Sequence, residues 1–139
     1  MSKFTNMKRI ETLRLMIDLA ESLGSGAPCD MLVVCILSHG TDQGKFLSSD
    51  CCKIDTEVDV FRRFNNEYCP ALIGKPKLFI LQTDVIGAPP GSMGPPPRPR
   101  SKHTTCEDML IAYSSLLGHE TSRDIYRGTW FIECLCKVS

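Results

Sequence analysis

The chain has no net charge, no long apolar run and no paired-cysteine metal motif, and each absence removes a class of function. Its 16 basic and 16 acidic residues cancel, so there is no electrostatic footprint for nucleic acid or an anionic membrane surface. No apolar run approaches the roughly 20 residues that span a bilayer. Arg14 and Asp18 interrupt any signal-peptide core near the N-terminus, and a cytoplasmic protein is expected. The eight cysteines form no Cys-x-x-Cys pair and no Cys/His cluster with zinc spacing. No metal or cofactor is expected. The cysteines read as reduced side chains packed like small hydrophobes, with Cys35 inside an apolar strand. At 139 residues, 42% hydrophobic and 23% charged, the chain is one small globular domain.

What is present alternates between helical and strand periodicity. Ile10, Leu13, Met16, Ile17, Ala20 and Leu23 recur at helical spacing and predict a helix over 7–23, stopped by Gly24-Ser25-Gly26. Residues 31–38 are a continuous apolar run of strand length, the pattern of a strand covered on both faces. Residues 45–54 predict a hairpin around Ser48-Ser49-Asp50. A second helix is expected over 56–66 with Val58, Phe61 and Phe64 facing inward, ended by Asn65-Asn66 and Pro70. Strands follow at 77–82 and at 109–115. A last helix over 129–137 is expected to bury Trp130, Phe131 and Leu135. Strands separated by helices imply parallel pairing in an α/β layered domain.

Residues 83–105 differ in kind. Six of the nine prolines fall here, with Gly87, Gly91 and Gly94. Such a stretch cannot donate a regular backbone ladder and reads as a linker between an N-terminal part, 1–82, and a C-terminal part, 106–139.

Cys35-Ile36-Leu37-Ser38-His39-Gly40, followed by Gly74-Lys75-Pro76-Lys77-Leu78-Phe79-Ile80-Leu81-Gln82, resembles the caspases, cytosolic cysteine proteases that cut after aspartate. In that family one strand ends in Ser-His-Gly, and a Gly-Lys-Pro-Lys strand ends in Gln-Ala-Cys-x-Gly. The C-terminal part is similar too: Ile111-Ala112-Tyr113-Ser114-Ser115 matches an Ala-Tyr-Ser-Thr strand. Arg127-Gly128-Thr129-Trp130-Phe131-Ile132 matches the start of a Gly-Ser-Trp-Phe-Ile helix. The resemblance implies a three-layer caspase-like sheet of mostly parallel strands flanked by helices, incomplete at both ends.

It also implies roles. His39 stands at the position of the general base, and Gly40 at that of an oxyanion-hole N–H donor. Gln82 and Arg123 match residues that hold the substrate aspartate, for which a guanidinium is suited. Ser122 and Glu120 replace the aromatics of neighbouring pockets. The nucleophile is missing, because the chain reads Thr83-Asp84 where the family has Ala-Cys. Two alignments account for this. Asp84 takes the nucleophile's place, or the active-site loop is deleted and Leu81-Gln82-Thr83-Asp84 resembles an inter-subunit cleavage site. The expected function is a catalytically inactive regulator that binds an active caspase or a caspase adaptor. The alternatives are a cysteine endopeptidase, if a longer form supplies the cysteine, and a truncated or misspliced product. No nucleic-acid or membrane partner is expected. A homodimer is not expected either, because the family's final strand has no counterpart.

Overall fold

The computed structural model describes residues 2–41, 44–85, 107–114, 123–124 and 128–138. Five strands form one mixed sheet in the order β3-β2-β1-β4-β5. They are β1 (Leu32–Gly40), β2 (Lys45–Leu47), β3 (Lys53–Asp55), β4 (Lys77–Val85) and β5 (Met109–Tyr113). The apolar runs pair in parallel, β1 with β4 from Leu32↔Lys77 to Gly40↔Val85, and β4 with β5 from Lys77↔Met109 to Leu81↔Tyr113. The short hairpin β2–β3 adds to the β1 edge antiparallel. Two-residue strands β6 (Arg123–Asp124) and β7 (Gly128–Thr129) form a separate ribbon. Helix α1 (Arg9–Gly24) lies near the start and α2 (Trp130–Val138) near the end.

The core sits on one face of the sheet. Leu32, Ile36, Phe79 and Leu81 point there and meet Met16 and Leu23 of α1 with Phe61, Phe64 and Leu72. Phe79 anchors it. Its ring packs edge-on to Phe61 at 5.0 Å and lies 6.1 Å from Phe64, geometry that aromatic quadrupoles favour.

Several expectations change here. The 56–66 segment is not one α-helix. It is a π-helical turn (Thr56–Val60) followed by a 3-10 turn (Phe61–Phe64). Asp55 starts it by accepting the Glu57 and Val58 amides at 3.0 Å. The change of pitch buries Val60, Phe61 and Phe64 and turns Val58 outward. Ile10 and Ile17 also lie outside, because α1 buries the narrower stripe of Thr12, Met16 and Leu23. Trp130 is 64% exposed. β1 is covered on one face only, since Val33, Cys35, Leu37 and His39 on the other are exposed. Of the seven cysteines among the described residues, only Cys69 is buried and Cys29 is half-buried against the core, so packing as small hydrophobes holds for those two and not for the exposed five. β4 runs three residues past the expected strand end, so Thr83–Val85 are strand, not linker. The rest of the proline-rich stretch lies outside the described residues.

Two polar fixtures hold the frame. Lys77 is 1% exposed, and its ammonium donates to the carbonyls of Leu72 (3.0 Å), Lys75 (3.3 Å) and Glu107 (3.2 Å). A buried charge survives only when its donors are met this fully. Lys77→Met keeps the stem and strands three carbonyls. It is expected to cost about 2 kcal/mol, read as a lower midpoint in urea unfolding.

The second fixture is Asp50, which accepts the Arg9 amide at 3.0 Å and so caps α1 from a distant loop. The Ser48 hydroxyl foremost, then the Arg9 amide, hold its carboxyl below the ordinary value of 3.8. A lowered carboxyl stabilises above that ordinary value and loses its contribution as pH falls through the lowered one. The protection of the amides at residues 9–12, relative to their intrinsic exchange rates, should therefore fall on acidification below about pH 4. Asp50→Asn should remove that acid-dependent step.

Candidate active site

The parallel β1–β4 pairing brings the two halves of the candidate site together. Each strand has an apolar centre, both are nine residues long, and they pair in register throughout, so their C-terminal ends coincide. There His39 and Asp84 are register partners, as are Ser38 with Thr83 and Gly40 with Val85. Parallel partners lie about 4.8 Å apart in the hydrogen-bonding direction. His39 is exposed at this end. Just before it, the Ser38 hydroxyl donates to the Leu47 carbonyl at 2.5 Å and ties the end of β1 to the hairpin.

Gly40 is buried, and its environment excludes a side chain. A Cβ built there would lie 2.9 Å from the Thr83 Cβ, closer than carbon atoms pack. The backbone of β1 thus approaches β4 beside the histidine because position 40 is glycine. Thr83 was not singled out from the sequence, and the register makes it the partner of Ser38 and a diagonal neighbour of Gly40, a relation that no local sequence signal shows. Gly40→Ala must push the strands apart at the site. The expected cost is about 2 kcal/mol, measured by thermal unfolding.

Gln82 precedes this end by two residues and is 1% exposed, paired with Leu37 in the register. It is part of the strand wall. Arg123 lies on the separate ribbon, paired with Thr129. Thus the fold brings His39, Gly40 and Asp84 to one strand-end pair, with Gln82 on the same strand. Arg123 is on a different sheet. Glu120 and Ser122 lie outside the described residues.

Neither Cys35 nor Cys69 stands in the nucleophile's place. Cys35 lies on the same face of β1, four residues away, which is about 13 Å. Its side chain is exposed, but partial desolvation foremost, then Cys136 of α2, pushes its thiol up from the ordinary value, away from the thiolate form a nucleophile needs. Cys69 is 2% exposed and lies before β4, and desolvation raises its thiol too. The strand placement also bears on Asp84 as a cleavage site. Leu81 and Gln82 are each 1% exposed, in a strand paired on both sides at Leu81. A protease reads an extended segment whose own backbone is unpaired, so cutting after Asp84 requires β4 to leave the sheet first.

The family model described as the caspase domain matches residues 1–139. The chain belongs to the caspase family. Among curated caspases, it is 35% identical over 112 residues to caspase-3 of Xenopus laevis, covering 76% of this chain and 39% of the relative. It is 31% identical to caspase-1 of Spodoptera frugiperda, covering 96% of this chain and 46% of the relative. The crystal structure of that insect caspase-1 superposes with a TM-score of 0.72 at 29% identity, over 95% of this chain and 51% of that one. The chain therefore spans half or less of the length of these caspases. The alignment to insect caspase-1 runs over 150 positions, longer than this chain of 139, so the relative carries internal residues that this chain lacks. Among the described residues no helix is long and apolar enough to cross a membrane.

Proposed function

We propose that this caspase-family chain is a catalytically inactive regulator of caspase proteolysis, acting in the cytoplasm by association with an active caspase or a caspase adaptor. The observation that carries the reading is the register of His39 with Asp84 across β1 and β4. The scaffold that presents the histidine is retained, while the residue opposite it is an aspartate. A carboxylate at that position has no thiol with which to form the family's covalent intermediate. Gly40 and Gln82 persist in the strand ends, which supports retention of shape without chemistry.

The test has two arms. The purified chain is given a fluorogenic peptide ending in aspartate, and no turnover is expected. It is then mixed with an active caspase, and a complex with an altered turnover rate is expected. Turnover by the chain alone that His39→Ala abolishes would overturn the inactive reading. Absence of both a complex and any effect on caspases and adaptors would overturn the regulatory one.

A further inference from the structure

Cysteines 51 and 52 are the one adjacent pair among the eight, and both are exposed with free thiols. They close the loop between β2 and β3. Cys136 lies near enough to Cys35 to raise its thiol, and Cys29 near enough to Cys69, but each of those pairs joins separate segments of the fold and neither shares one loop. Cys69 is buried. Cys134 and Cys136 stand two residues apart on α2, a separation of about 200° around a helix, so their side chains diverge.

Two observations fit the adjacent pair to a bridging ligand. The first is conformational. Cys51 has φ 57°, in the left-handed region that non-glycine residues seldom adopt, and strand pairing resumes only at Lys53. The alternation that sends neighbouring side chains to opposite faces of a strand therefore does not operate across the pair. The second is that the loop is held. The Cys51 amide donates to the Ser48 carbonyl at 2.9 Å, and the Ser48 amide donates to the Cys52 carbonyl at 3.0 Å, while the Ser48 hydroxyl donates to Asp50 within the same loop. Ser49 donates to the Met7 carbonyl at 2.9 Å, and Asp50 caps Arg9. Two thiols on a fixed frame lose little freedom when a ligand joins them.

A direct disulfide is the poorer product. Neighbouring Cα atoms are about 3.8 Å apart across a trans peptide, and no peptide bond among the described residues is cis. Unstrained disulfides need about 4.4–6.8 Å. An inserted atom that bonds both sulfurs lengthens the bridge and relieves that strain.

We propose that Cys51-Cys52 is a vicinal dithiol site that captures trivalent arsenicals of the arsenoxide class. Both sulfurs bond to one arsenic. The two thiol protons leave with the arsenoxide oxygen as one water, and no atom changes oxidation state. The site is independent of the reading of His39 and Asp84.

Phenylarsine oxide is the probe. Titration of the reduced protein should consume two thiols per bound arsenic. The adduct should resist excess 2-mercaptoethanol and be released by 2,3-dimercaptopropanol, because only a dithiol competes with a chelate. Mapping the adduct on the unmutated protein by mass spectrometry should place it on the peptide holding residues 51 and 52. Cys51→Asn, which tolerates the left-handed backbone, and Cys52→Ser should each weaken retention by about 100-fold, the loss expected when an intramolecular second bond is removed. Cys134→Ser with Cys136→Ser should leave it unchanged. Failure to form an adduct that survives the monothiol, or an adduct mapped to any other cysteines, overturns the proposal.

Discussion

Replacing Asp84 by cysteine is expected to create the most reactive thiol in the protein. The register sets position 84 opposite His39, and a thiol beside an imidazole exchanges its proton to give a thiolate–imidazolium pair. An unpaired cysteine has a pKa near 8.5, so at pH 6 well under 1% is thiolate. Pairing with histidine lowers a cysteine to about 7.5 or below, which raises the thiolate fraction at pH 6 by at least about tenfold. Iodoacetamide labelling of Asp84→Cys at pH 6 should exceed that of Cys35 by a similar factor, since burial moves the Cys35 thiol the opposite way. Adding His39→Ala should return the new thiol to ordinary reactivity. Equal labelling with and without His39 would show that the strand ends do not bring the two positions together. The experiment reads proximity and not turnover, so it holds whether or not the pockets around the site are complete.

The largest stability loss is expected from Phe79→Ala. Phe79 is fully buried and stands in β4, an interior strand of the sheet, where its ring meets Phe61 and Phe64. Those two rings come from the irregular turn after β3, so Phe79 joins that turn to the sheet. Truncation leaves a cavity among rigid rings that cannot collapse to fill it, and the expected cost is about 3–5 kcal/mol. Single domains hold only about 5–15 kcal/mol in total. Urea titration followed by tyrosine and tryptophan fluorescence should show a midpoint reduced by half or more. Phe79→Leu, which keeps most of the volume, should recover most of the loss. A midpoint within experimental scatter of the unmutated chain would mean that the turn is held by other contacts.

Much of this architecture was legible in the sequence, for identifiable reasons. β1, β4 and β5 are short apolar runs with β-branched and aromatic residues, and the parallel pairing of β1 with β4 follows from the helical segment expected between them at 56–66. The hairpin at 45–55 was legible from its turn residues. The end of β4 was not. Thr83-Asp84-Val85 borders a proline-rich stretch and has no strong strand pattern of its own. Pairing with the full length of β1 extends it, and a partner's length is invisible in local composition. Periodicity showed which side chains share a face, but not whether anything covers that face, which is why Val33, Leu37 and Trp130 proved exposed. In the candidate site, the Ser-His-Gly strand end identified His39 and Gly40. The contact that makes Gly40 obligatory, with Thr83, is a property of two strands distant in sequence.

Lys77 carries one last consequence. Its ammonium grips Leu72 and Lys75 on one side and Glu107 on the other, while five register pairs join β4 to β5. The C-terminal part is thus fastened to the N-terminal part by contacts that owe nothing to the peptide bonds between residues 86 and 106. A chain severed anywhere in that interval should behave as a two-piece complex. The pieces should elute together until denaturant, not the cut itself, separates them.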